Sequence, residues 1–184
     1  GSFRDFLASL DLVVAVEPLT EADLARASQL TMRTNQFNFT TIRRDESEVR
    51  ALLETGRHDI RTVRVRDRFG DYGLVGLLIA ERTDGELLAD TFLMSCRVLG
   101  RGAEHRMMAE FGRLAEANGL PVVRLRLEPT RRNAPARQFL ETLAPDDLRG
   151  GDGVLDFTMP ASTLAVLEYQ PEDGMTWEQK KGDL

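Results

Sequence analysis

Six residues in the middle of the chain have the types and spacing to hold a phosphate: Arg97-x-x-Gly100-Arg101-Gly102. Glycines at 100 and 102 permit positive φ and present no Cβ to an approaching ligand. Successive N–H groups of such a turn converge at the positive end of the following helix, which suits a phosphate or pyrophosphate. Arg97 and Arg101 add permanently charged, fork-shaped donors at the same place. The whole turn, Arg97, Val98, Leu99, Gly100, Arg101, Gly102 and Ala103, is therefore the first candidate binding element. The same residues would also make a plain strand-to-helix turn. A strand-forming run before it and an amphipathic helix after it supply the context that favours a ligand.

Three residues just ahead of the turn are of catalytic type. Asp90 would serve as a general base if burial raised its pKa, though a partly exposed carboxylate at a strand start is the simpler expectation. Ser95 lies on the same strand. Cys96 is the only cysteine, and the neighbouring arginines would favour its thiolate. Unmodified cysteine is commonly buried, so a small packed strand residue is expected there. Neither His58 nor His105 is close enough in sequence to act as its base, and both are expected at helix ends on the surface. A third stretch, Thr34-Asn-Gln-Phe-Asn-Phe-Thr-Thr41, interleaves amides with two phenylalanines. Asn35, Gln36 and Asn38 are candidate substrate contacts, since loops on rigid scaffolds often carry function. Equally, their side chains would satisfy neighbouring helix ends.

These groups need a scaffold, and hydrophobic periodicity outlines one. A short helix is expected over 3–12, a strand over 12–16, and a helix over 21–33 opened by Thr20 and Asp23. Asp45-x-x-Glu48 caps a helix over 46–55 that Gly56 ends. Strands at 60–66, 74–81 and 87–96 form a meander. A helix over 101–118 crosses to a strand at 121–127, which makes the strands at 87–96 and 121–127 parallel neighbours with the glycine turn at their end. A helix from Ala134 to Leu143, a loop at 150–153, a strand over 154–159 and a strand or short helix over 161–169 follow. The fold class is α/β (α+β): three layers, with a mixed sheet that joins an antiparallel meander to one parallel pair.

Composition narrows the function. Hydrophobic residues at 42% and charged residues at 29% describe a globular chain, not a disordered one. A net charge of −6 lacks the basic face of a general nucleic-acid binder. One cysteine excludes an internal disulfide and a cysteine-based zinc site, and no metal is expected. No apolar run suits a bilayer, and a cytoplasmic setting is the default expectation. Gly1-Ser2 has the look of an expression remnant, so residues 1–12 are expected to be a connection from an upstream domain or the start of an expressed piece. Residues 13–169 would form the domain and 170–184 a polar tail or linker.

The element order with Arg97-x-x-Gly100-x-Gly102 resembles the GNAT acyltransferase superfamily, in which this turn holds the pyrophosphate of acyl-CoA or the phosphopantetheine arm of a carrier protein. The resemblance spans about residues 13–160. Four ordered blocks, Thr34–Thr41, Arg66-Asp-Arg-Phe-Gly-Asp71, Asp90–Gly102 and Asn133-Ala-Pro135, resemble more narrowly the C-terminal part of FkbH-like proteins. That resemblance implies an upstream dehalogenase-type domain and an acyl carrier protein as partner. It also implies a role in loading a glyceryl unit in polyketide biosynthesis, and CoA or phosphopantetheine as cofactor, with Asn133 beside it. No Asp-x-Asp-x-Thr phosphatase loop occurs here. The position where many GNAT enzymes carry a proton-donating tyrosine is Leu140, and Ala144-Pro145 replaces the usual Gly-Phe ending. A carrier-protein docking module without chemistry and an independent acetyl-CoA-dependent N-acetyltransferase remain the alternatives.

Overall fold

Strands that alternate large apolar residues on two faces need a layer of helices on each face, and the computed structural model supplies both. It describes residues 2–143, 148–150 and 153–171. Strands β1 (Val13–Pro18), β2 (His58–Asp67), β3 (Gly70–Arg82) and β4 (Glu86–Met94) are successive antiparallel neighbours. β5 (Val122–Leu127) pairs parallel to β4, and β7 (Leu155–Pro160) and β6 (Leu148–Gly150) complete the order β1-β2-β3-β4-β5-β7-β6. The expected parallel pair is present, reached through a single helix, α4 (Ala103–Ala117).

Period-two burial sorts the layers. Leu77, Ile79 and Leu93 face α2 (Leu24–Arg33) and α3 (Glu46–Glu54), packing with Leu24, Ala27, Leu30 and Val49. Leu78, Ala80, Phe92 and Met94 face the other way, onto Met107, Met108 and Phe111 of α4 and Phe139 and Leu140 of α5 (Ala134–Leu143). A first helix, α1 (Phe3–Ser9), is capped by Ser2 and buries Phe3, and Leu10 just beyond it is also buried. Asp45 and Glu48 form the anticipated capping box on α3. The start of α2 differs from expectation. Thr20 bonds the Asp23 carboxylate instead of a backbone N–H, and residues 21–23 form a 3-10 turn ahead of the α-helix.

Residues 161–165 resolve as the short helix α6 (Ala161–Ala165), and 148–150 form the strand β6, partly in place of the expected loop. α6 lies directly on α4 because Gly112 has no side chain. A Cβ there would stand 2.6 Å from the Ala165 nitrogen. The chain after α6 is thereby delivered along α4 toward its N-terminus. Ala144-Pro145 and residues 172–184 lie outside the described residues. Among the described residues no helix is long and apolar enough to cross a membrane, and no cluster of metal-ligating side chains occurs.

Candidate functional site

The β4–β5 pairing stops early. Its register runs only from Glu86↔Val122 to Ala89↔Leu125, although β4 continues to Met94. Beyond Ala89 the two strands separate, and the freed backbone groups need partners. They find them in the chain itself. Phe39 N–H donates to Phe92 O (3.2 Å), Met94 N–H to Phe37 O (3.0 Å) and Glu128 N–H to Phe39 O (2.8 Å). Residues 37–39 are thus wedged between the splayed strands. The sequence gives them the means: Phe37 and Phe39 are buried and pack edge-to-face, with Phe92 and Phe139 around them.

Asn133 bolts the wedge in place. Buried ahead of α5, its Nδ2 donates to Asn38 O (3.0 Å) and to Glu128 O (2.9 Å), and its Oδ1 accepts from Thr130 N–H (2.7 Å). Asn38 closes its own turn, donating to Thr34 O (3.1 Å) and accepting from Thr41 N–H (3.0 Å). Thr41 is held at φ 56°, unusual for a β-branched residue. Asn35 accepts from Arg43, which also bonds the last carbonyls of α2. Of the three candidate substrate contacts, then, Asn35 and Asn38 serve the fold, and only Gln36 is exposed on the rim of a cavity.

The glycine turn has the expected backbone. Gly100 and Gly102 stand at φ 82° and 96°. Gly102 is the N-cap of α4 and offers no side-chain acceptor to the first helical N–H groups, which have no partner within the helix. The side chains around it depart from expectation. Glu104 is buried, and its side-chain oxygen accepts from Gly100 N–H (3.0 Å), so one backbone donor of the turn is already taken. Arg101 is drawn away onto Asp67 (2.8 Å) and the Tyr72 hydroxyl (2.8 Å), stacked over the Tyr72 ring. Tyr169 lies against Gly102, where a Cβ would meet it at 3.2 Å. Arg97 remains exposed, with Nε 3.4 Å from the Ser95 oxygen.

The chemically reactive candidates are dispersed. Asp90 forms an ion pair with Arg44 (2.7 Å) and accepts from the Thr91 hydroxyl, which fix its carboxylate in place. Ser95 caps a 3-10 turn over Cys96–Val98. The strand ends at Met94, so Cys96 is exposed on that turn instead of packed in a strand. Leu140 is fully buried in the core, packed among the apolar side chains of α4 and the sheet. His58 begins β2 and contacts the Thr55 hydroxyl (2.7 Å). His105 is not a surface residue: its ring lies between Phe139 (5.0 Å) and Tyr169 (4.7 Å). Burial lowers its pKa to about 4, and it is neutral at pH 7.

Gly100, Cys96 and Gln36 meet on one groove between α4 and α5, of about 590 Å³, with an apolar floor that includes Leu99 and Phe139. Residues 167–170 form one of its walls, and a second cavity of about 690 Å³ lies on their other side, against α1 and Arg106. Sequence reasoning missed Glu104, Tyr169 and the wedge. Only the hydrophobic spacing of Phe37 and Phe39 signalled that their stretch was inward-facing.

No protein-family profile and no curated protein matches the chain. Solved structures do. A protein from Desulfovibrio desulfuricans described as an acetyltransferase of the GNAT family superposes with a TM-score of 0.61 at 14% identity, covering 81% of this chain and 99% of its own. The ribosomal-protein-S18-alanine N-acetyltransferase from Escherichia coli gives 0.58 at 11% identity, covering 90% and 100%. Spermidine N-acetyltransferase from Vibrio cholerae, solved with CoA and spermine, gives 0.58 at 10% identity, covering 82% and 97%. The fold is that of the GNAT acetyltransferases.

That fold implies CoA, and the residues present do not fit its whole length. An uncapped helix start and a side-chain-free Gly102 suit a pyrophosphate. Glu104 places a carboxylate at the same turn, Tyr169 covers Gly102, and the slot between β4 and β5 is closed by residues 37–39.

Proposed function

We propose that this chain is a GNAT-fold docking module of an FkbH-like system, which binds an acyl carrier protein without transferring a group itself. The observation that carries this reading is the wedge. The β4 backbone groups that an extended arm would use are bonded to Phe37 and Phe39. Two further positions agree with it: Leu140 is buried in the core, and His105, with its pKa near 4, is a weak base at neutral pH. What remains open is the α4–α5 groove, whose apolar floor and polar rim suit the acyl end of a carrier-borne phosphopantetheine arm. The resemblance of four sequence blocks to FkbH-like proteins is what favours an acyl carrier protein as the partner.

The test is calorimetric titration of apo and holo acyl carrier protein and of free CoA, alongside acyl-transfer assays with acetyl-CoA and amine acceptors. Binding of the holo carrier above the apo form, with no transfer above buffer, is the expected result. Turnover with acetyl-CoA would replace this reading with that of an independent acetyltransferase. A second reading has its own observation: Cys96 is exposed on the groove rim. Its thiolate could attack a thioester carbonyl and release the phosphopantetheine thiol, which would leave an acyl mass on Cys96 that Cys96→Ser abolishes.

A further inference from the structure

Many arginines of this acidic protein are ion-paired, among them Arg44 with Asp90, Arg64 with Asp23, Arg82 with Asp59, Arg101 with Asp67 and Arg124 with Glu86. Arg26, Arg33 and Arg97 are among those with no carboxylate within ion-pair distance among the described residues, and they differ from the others in lying together. They converge on one face. Arg26 and Arg33 are seven residues apart on α2, two turns and about 10 Å along one stripe. Arg26 Nε donates to Leu74 O (3.1 Å), and Ser95 N–H, from the turn that carries Arg97, donates to the next residue, Val75 O (2.8 Å). Partial burial, and after it the charges of Arg97 and Arg33, push the Arg26 guanidinium below the usual arginine range.

The fold accounts for this grouping only in part, although Arg26 also donates to Gln29 Oε1 (2.6 Å). Arg33, in the last turn of α2, is favoured by the helix dipole, and Arg43 bonds the same helix end. Arg26 sits in the first turn, where the dipole disfavours a cation. Three mutually repelling guanidiniums gathered in a chain of net charge −6 would be stabilised by an external anion. Its shape is constrained too: none of the three lines either of the two cavities described above, and exposed Met32 stands beside Arg33. A charged stripe about 10 Å long with an apolar contact at one end fits an extended surface better than a single small phosphate.

We propose that Arg26, Arg33 and Arg97 form a docking face for the acidic helix of a partner protein, one that presents carboxylates two turns apart. The face adjoins the groove, since Arg97 follows Cys96 and Arg33 lies three residues before Gln36. A partner seated there brings its own extended group to the groove rim. The inference rests on the carrier-protein reading for the partner's identity, not for its chemistry.

Two probes keep them separate: apo and holo acyl carrier protein, and a helical peptide with glutamates at i, i+3 and i+7. Each is titrated at low and high salt into wild type, Arg33→Glu/Arg97→Glu, and Arg132→Glu as an exposed charge-reversal control. Folding of each variant is checked by its unfolding midpoint. The double variant is expected to bind both probes about tenfold or more weakly at low salt, with the control near wild type and the wild-type affinity falling as salt rises. If Arg132→Glu weakens binding as much per charge, the effect is general attraction and the face is refuted. If the holo carrier binds all three proteins alike, the face is refuted while the docking function stands. Peptide binding that depends on Arg33 and Arg97 with no carrier binding supports the face and removes the carrier as partner.

Discussion

Replacing Asn133 by alanine tests whether the wedge between β4 and β5 is held as described. The side chain is 1% exposed and makes three hydrogen bonds, to Asn38 O, Glu128 O and Thr130 N–H. At about 1 kcal/mol net for each, and more where a buried partner is left unsatisfied, the loss is about 3 kcal/mol. Asn133→Asp sharpens the test. It keeps the acceptor for Thr130 but sets a carboxylate against two carbonyl oxygens, so it should destabilise at least as much as alanine. Urea unfolding of the three proteins reads this directly. With a slope of about 2 kcal/mol/M, the midpoint should fall by about 1.5 M at unchanged slope. A fall under about 0.5 M for both variants, or an aspartate variant more stable than the alanine one, would show that Asn133 does not tie residues 37–39 to the sheet.

Leu140→Tyr forces a larger, polar ring into a full core. It should cost about 1–3 kcal/mol in thermal or urea unfolding and create no acetyl transfer. Glu104→Gln retains an acceptor for Gly100 N–H but removes the charge, so titrated pyrophosphate should bind several-fold tighter, by about 1 kcal/mol at low salt. Gly102→Val places a branched side chain at φ 96° and against Tyr169. It should lower stability by about 1–2 kcal/mol, measured by urea unfolding. His105 gives a pH dependence. Its folded pKa, near 4, lies below the unfolded value near 6.5, so between those values the unfolded chain binds the extra proton. Stability should therefore fall on acidification from pH 6.5 to 4, and His105→Phe should flatten that part of the profile.

Local signals in the sequence were sufficient for the scaffold. The Asp45–Glu48 box, the glycines of the α4 turn and the length of the β4–β5 crossover each act over a few residues, and each element formed where its chemistry indicated. The site was less legible because its decisive contacts are remote. Arg101 turns from the candidate phosphate site toward Asp67, 34 residues earlier. Tyr169 reaches Gly102 only because Gly112 lets α6 rest on α4. Asn133 was identified by its motif, but its partner Asn38 lies 95 residues away. The polar stretch at 34–41 looked like a binding loop because its amides are prominent. Its two phenylalanines decide its place, since burying them outweighs leaving the amides in water.

Residues 37–39 also change what affinity means for this groove. They join three distant parts of the chain, near residues 38, 93 and 128, in one hydrogen-bonded ladder. A ligand that needs the inner edge of β4 can bind only those molecules in which the ladder has opened. Its apparent dissociation constant is then the intrinsic one divided by that open fraction. Each kcal/mol that holds the ladder shut weakens such a ligand about fivefold, with no change in any atom that touches it.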